Sequence, residues 1–417
     1  MKKILLLQLT CLMMGTVYTE QLPKKQVVIY IHGTVMSGVA LLNATGLYKN
    51  DLQENDWTRG CLLNLRHNQK IVNSQVASQT MGLNGIDKIS LDEYSNQRLP
   101  SVKSKAGAYQ YFGLYNTLNK NNPDYAYYTF GWLGGLDRKC RELAAKKLHQ
   151  YIADLSKFYE HNCEFTLICH SHGGNVALNL AQEEKANPQK IRIKNLLLFG
   201  TPIQPETAYY ATDNLFGTVY NFYGAHDFIQ IADKISMPSH KSYHTFAKAL
   251  DPEKLNATQN NIYDIQLLID GDAKAIGHEM LGAFHNYKKS KIGKKSALFK
   301  HLTPFPLSVL APLYLELLKS IPNITSYNPM FINIASLNDQ IELQLKTDQY
   351  CSVTEILPNM QQLSNAHTYA EKNWVPINLS NKTMIILKTI REQNLPRPTK
   401  QLLNTNDNDG YSCHLCK

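Results

Sequence analysis

The chain is poor in several features that would assign it quickly. Its only long apolar stretch is N-terminal and too short to span a bilayer, so no membrane-spanning helix is legible. It has eight cysteines in 417 residues, too few for a disulfide framework to carry a protein of this size. Zinc-finger, basic-zipper and RNA-binding signatures are missing, which leaves nucleic acid binding without a readable basis despite a formal charge of +9. No internal repeat or low-complexity tract occurs, which argues against a solenoid or a linker-rich array.

What is present suits a globular enzyme-sized protein. The apolar fraction is 43%, with 24 tyrosines and 13 phenylalanines, enough for a sizeable core and one large or two medium domains. Residues 1–19 read as a secretory signal peptide: Lys2 and Lys3 precede a short apolar stretch, and small residues follow around Gly15. An uncleaved anchor is the competing reading, disfavoured because polar residues follow at once. This pattern implies a secreted, periplasmic or cell-envelope location. The basic run Lys288, Lys289, Lys291, Lys294, Lys295 and Lys300 fits a solvated helix face better than a membrane-binding patch, although peripheral contact with a membrane surface stays open. Removing Cys11 with the signal leaves seven cysteines, an odd number. Cys413 and Cys416 have redox-motif spacing but no following helix to activate a thiol.

Apolar runs at Gln26–Ile31, Tyr125–Gly131, Phe165–Cys169, Asn195–Gly200, Thr218–Tyr223 and Ile262–Ile269 predict six strands, several near-continuous as expected of strands buried on both faces. Helical periodicity over Asp137–Tyr159 and Asn175–Asn187 lies between them. Alternation of strand and helix predicts an α/β fold with a mostly parallel sheet. About ninety residues separate the first two strands, far more than a compact connection needs, so residues 35–120 read as an insertion, either a lid or a plain rim loop. The catalytic domain would span 20–300, followed by a connecting helix in 301–321. Phe331–Ala335 and Ile341–Lys346 alternate around Asn338 and Asp339 as a β-hairpin, and Ile377–Leu387 suggests another. Residues 322–395 therefore read as a small β-rich C-terminal module, and 396–417 as a loose tail.

The chemistry concentrates at Ser171. It stands in Phe165-Thr-Leu-Ile-Cys-His-Ser171-His-Gly-Gly-Asn175, an apolar strand that meets a tight turn and then a helical pattern. Such a turn raises one hydroxyl above the sheet edge and aims the first N–H groups of the helix at it. A serine needs a base, and the base needs an acid to hold its tautomer. Asp227 follows the fifth strand and His278 follows the sixth, so both fall past carboxyl ends of parallel strands, where such sheets carry their sites. His285, His240 and His244 compete for the base, and Asp233 competes for the acid. For an oxyanion hole the candidates are the N–H groups of His172 and of Thr34, with Val35 as the alternative to Thr34. Trp132 and His32 are the candidate substrate-lining residues; packing against the next helix is the competing role for Trp132.

These motifs resemble the lipases and esterases of the α/β-hydrolase superfamily, in a compact form without the first two strands. The resemblance rests on His32-Gly33-Thr34, Cys169-His-Ser171-His-Gly173-Gly174, Gly200-Thr-Pro202 and Gly224-Ala-His-Asp227, and covers residues 26–285. It implies a hydrolase fold of about six mostly parallel strands, with a secreted serine hydrolase acting on carboxylic esters of lipid-like acyl groups. Thioester hydrolysis, acyl transfer and a non-catalytic binding role on the same fold are the alternatives. No cofactor is implied. One position departs from the pattern: Cys169 stands where the elbow has its first glycine, and it is small enough for the turn to form. His170 and His172 flank the serine, but alternate residues of this turn do not converge on one metal ion, so no metal is expected.

Overall fold

Strands with no polar break must be covered on both sides, and this requirement organises the molecule. The computed structural model describes residues 24–33, 85–91, 106–132, 138–227, 230, 242–251, 261–282, 306–319, 330–337, 340–346 and 351–356. Its strands are β1 (Lys25–Ile31), β2 (Gly85–Ile89), β3 (Tyr125–Gly131), β4 (Cys163–His170), β5 (Ile193–Phe199), β6 (Phe216–Tyr223), β7 (Asn261–Ile269), β8 (Met330–Leu337), β9 (Gln340–Lys346) and β10 (Cys351–Ile356). Its helices are α1 (Ala106–Leu118), α2 (Arg138–Phe158), α3 (His172–Leu178), α4 (Leu180–Ala186), α5 (Pro205–Ala208), α6 (Phe246–Ala249), α7 (His278–Gly282) and α8 (Ala311–Lys319). None of the helices among the described residues is long and apolar enough to cross a membrane.

All ten strands join one sheet in the order β10-β9-β8-β7-β6-β5-β4-β1-β3-β2. From β3 through β8 every neighbour is parallel, while β2, β9 and β10 join by antiparallel pairing. The protein is thus a mixed α/β structure with a mostly parallel sheet. The chain leaves β1 for β3 on one side, returns to β4 on the other side of β1, and then steps outward strand by strand. The β1–β4 boundary is therefore the topological switch point, where opposed connections open a crevice at the carboxyl ends of the strands.

Side-chain alternation along the strands feeds two cores. Val27, Ile29 and Ile31 of β1 join Leu167 and Cys169 of β4 under α2, α3 and α4, with Ala144, Leu148, Ile152, Val176 and Leu180. Val28 and Tyr30 face the opposite side with Ile168, Leu197 and Phe199, under α1 and α8. Tyr111, Phe112 and Tyr115 of α1 fill this second core with edge-on and tilted ring contacts to Tyr30 and Tyr127.

Two expectations change. Part of the 35–120 insertion is structural: β2 extends the sheet beyond β3, and α1 buries its aromatics against the sheet face. A detachable lid could not include α1, because its Tyr111 and Phe112 are fully buried. The rest of the insertion, 35–84 and 92–105, lies outside the described residues. The hairpin of the expected C-terminal module is present as β8 and β9, but it is not a separate layer. β8 pairs in parallel with β7, from Ile265–Met330 to Ile269–Ile334, so the hairpin and β10 extend the main sheet. The physical reason is the free edge of β7, whose N–H and C=O groups need partners. Asn338, Asp339, the second expected hairpin at Ile377–Leu387, the tail 396–417 and the signal segment 1–19 lie outside the described residues.

Candidate active site

Ser171 occupies the junction between β4 and α3 with φ 52° and ψ −134°. This region is close to glycine-only, and holding a serine there costs on the order of 1–3 kcal/mol, so the surroundings must impose it. They do so by close packing. A Cβ on Gly173 would lie 2.5 Å from the His32 carbonyl oxygen and 2.6 Å from that of Ile31, so α3 begins directly against the end of β1. A Cβ on Gly33 would lie 2.7 Å from Ser171 Cβ. The Ser171 N–H donates to Phe199 O at 2.9 Å, tying the turn to β5. A serine at a helix N-cap usually bonds the first turn with its hydroxyl; here the dihedrals prevent it, and the hydroxyl makes no cap bond. Cys169 is fully buried in the core, where loss of water holds its thiol well above the usual range, so it behaves as a small apolar residue next to the turn.

Asp227 follows β6 and His278 opens α7 after β7. Asp227 is fully buried, a state a carboxylate tolerates only with strong partners. His278 Nδ1 lies 2.7 Å from its Oδ2. A carboxylate only accepts, so Nδ1 carries the proton and Nε2 of the neutral ring keeps a lone pair. Oδ1 accepts from the Gln230 N–H at 3.3 Å, and Gln230 in turn donates its side-chain amide to Thr201 O at 2.8 Å. Gly200 connects this pair to the serine. It follows β5 with φ 61°, and a Cβ there would lie 3.0 Å from Asp227 Oδ2 and 3.2 Å from His278 Nδ1. Residues 199 and 200 thus touch Ser171 through the Phe199 carbonyl and the Asp227–His278 pair through the Gly200 backbone. A side chain at 200 would crowd Leu281, Asp227 and His278.

The two histidines flanking Ser171 differ. His170 packs its ring on that of His278, with centroids 4.9 Å apart. His172 is buried on the other side, where burial first, and then the charges of Arg141 and His278, push its pKa well below the usual value. It is therefore neutral at working pH, and its Nδ1 lies 3.3 Å from Asn175 Nδ2, which can only donate. Asn175 also donates to Pro202 O and accepts from Thr207, while Arg141 donates to Gln204. This buried network fixes the first turn of α3 from below. His172 is the first residue of that helix, so its backbone N–H belongs to the turn that finds no acceptor within the helix.

The remaining sequence candidates fall out as follows. His32 and Trp132 do come together, but inside the protein. Trp132 is 1% exposed; its backbone N–H donates to His32 Nε2 at 3.1 Å and its indole N–H to His32 O at 2.8 Å. His32 Nδ1 donates to Gly33 O at 2.6 Å. Their polar atoms are engaged in locking the ends of β1 and β3 together, the packing role the sequence already offered for Trp132. His244 stacks on Tyr223, with its carbonyl accepting from Asn221. Thr34, Val35, Asp233, His240, His285 and the lysine run 288–300 lie outside the described residues, as do Cys413 and Cys416. Among the described residues, no cluster of three or more His, Cys, Asp or Glu could hold a metal ion. From sequence alone Gly200 belongs to a motif with no contacts assigned to it, Tyr30 has no role beyond the first strand, and His170 is considered only as a metal ligand. The glycine after β5 was visible, but its contacts were not. No protein-family model, curated protein or solved structure matches this chain.

Proposed function

We propose that the protein is a serine hydrolase of the α/β-hydrolase type that cleaves carboxylic esters, with lipid-like acyl compounds as the substrate class and an extracytoplasmic place of work. One observation carries the reading. A strained serine whose hydroxyl caps nothing shares a sheet edge with a fully buried Asp–His pair, each residue following a different parallel strand. A purely structural role gives no reason to hold Ser171 in a glycine-like conformation.

In this reading Ser171 Oγ attacks the ester carbonyl carbon as His278 Nε2 removes its proton. Asp227 holds the Nδ1 proton and stabilises the imidazolium that forms. The oxyanion takes the His172 N–H and, by the sequence argument, the Thr34 N–H. Collapse expels the alcohol, which receives the proton from His278. Water, deprotonated by the same ring, then releases the acid and restores the serine. Neutral His172 fits this role: its ring brings no second positive charge beside the imidazolium.

The test is labelling with a fluorophosphonate probe and turnover of an ester panel that includes thioesters and acyl acceptors other than water. We expect the probe on Ser171, and Ser171→Ala to stay folded while losing on the order of 10⁵-fold or more in turnover. Folded wild-type protein that neither labels nor turns over esters would overturn the reading in favour of a binding role. Preference for thioesters or for acyl transfer would redirect it within the same chemistry.

A further inference from the structure

Helix α7, which carries His278, has only five residues, too short to hold its own orientation. Two side chains from the central strands grip it at its two ends. At its start, His170 Nε2 lies 3.2 Å from the His278 carbonyl oxygen, and the His170 ring covers the His278 ring at 4.9 Å between centroids, tilted by 39°. At its end, the Tyr30 hydroxyl donates to the Gly282 carbonyl at 2.6 Å. Gly282 also lies directly beneath the His170 ring, where any Cβ would collide with it. His170 ends β4 and Tyr30 lies in β1, the two strands that flank the switch point, and both side chains are buried. The Gly282 carbonyl ends the helix, has no partner within it, and meets a donor set by the sheet.

We propose that His170 and Tyr30 are positioning residues that clamp α7 at both ends, so that the ring of His278 is held in one orientation toward Ser171. Its kinetic consequence rests on the serine hydrolase reading above; its structural content does not. A carbonyl only accepts, so the clamp requires a proton on His170 Nε2. Tyr30 meets the same requirement, since burial raises its pKa far above any working pH and keeps the hydroxyl a donor. A rigid rotation of a short helix displaces a base by about an ångström, and misplacements of that size reduce rates by up to about 100-fold.

Three readouts test this in the full chain. The first needs no substitution: ¹⁵N shifts of the histidine rings in wild-type protein report which nitrogen of His170 bears hydrogen. Protonated Nε2 is expected; a ring protonated at Nδ1 alone overturns the clamp. The second is the downfield proton of the His278–Asp227 hydrogen bond, which we expect to weaken and exchange faster in His170→Phe and Tyr30→Phe. The third is the rate of fluorophosphonate labelling of Ser171. We expect about tenfold loss in His170→Phe, which keeps the ring shape without its N–H, and recovery to within about threefold of wild type in His170→Gln, whose amide can reach the same carbonyl. Equal loss in His170→Gln and His170→Phe, or an unchanged downfield proton in both His170→Phe and Tyr30→Phe, overturns the proposal. If wild-type protein does not label at all, the hydrolase reading falls, and the clamp is still decided by the first two readouts.

Discussion

Two aspartates near the middle of the sheet are withdrawn from water to different degrees and for different ends. Asp264, in β7, is partly buried and accepts from Asn221 Nδ2 at 2.7 Å and from the N–H groups of Phe246 and Ala247, both at 3.0 Å. All its partners are amides, and two of them open a four-residue helix, α6. Asp227 is buried completely, and its near partner is the ring of His278. For Asp264 desolvation outweighs three amide bonds, so its pKa is raised. The difference teaches where to look for chemistry. A buried carboxylate bonded by amides caps backbone, whereas one bonded to an imidazole can stabilise a charge that appears only during a reaction.

Substitutions at the two sites should separate these roles. The largest effect is expected at Asp227→Asn, where the amide favours the wrong His278 tautomer and should reduce ester turnover by about 10⁴-fold in folded protein. Turnover within tenfold of wild type would remove Asp227 from the mechanism and erase the contrast. Asp264→Asn should do the reverse, leaving Ser171 labelling within about twofold while lowering stability to urea by about 1–3 kcal/mol, because its amide group then faces a backbone N–H. That deficit should depend on pH. Asp264 has a raised folded pKa, so its contribution is fully present below the unfolded value, near 3.8, and is lost as pH rises through the folded one. The gap between wild type and Asp264→Asn should accordingly shrink above pH 3.8, and a gap that grows there would reverse the assignment. The smallest effect concerns His172. Its folded pKa is depressed, so its contribution is present above 6.5 and lost as pH falls toward the folded value. Urea midpoints of His172→Asn should therefore fall less than those of wild type as pH drops below 6.5.

Legibility in the sequence divides along the same line. The parallel strands among β1 to β7 can be read from runs that are mostly apolar, because burial on both faces leaves a local mark. The turn at Ser171 can be read from a strand that runs into Ser-His-Gly-Gly, and Asp227 and His278 are legible as polar residues just past strand ends. By contrast, α1 was hidden inside an insertion because Ala106–Leu118 is apolar on most sides and shows little helical periodicity. The pairing of β8 with β7 left no mark either, since a strand that completes a sheet reads like one that starts a new module. Trp132 and His32 look equally suited to a pocket wall and to a core, and local sequence gives no sign of the bonds they make to each other.

By itself the sequence determined the α/β alternation, the tight turn at Ser171, and the order serine, aspartate, histidine along the chain, because each depends on neighbours a few residues apart. Tertiary structure alone decided which groups meet. The Tyr30 hydroxyl reaches Gly282 across 252 residues, His170 packs its ring on one 108 positions away, and the Gly200 backbone closes on the Asp227–His278 pair. Such contacts are set by strand order and sheet twist, which bring together carboxyl ends of strands that local sequence cannot relate.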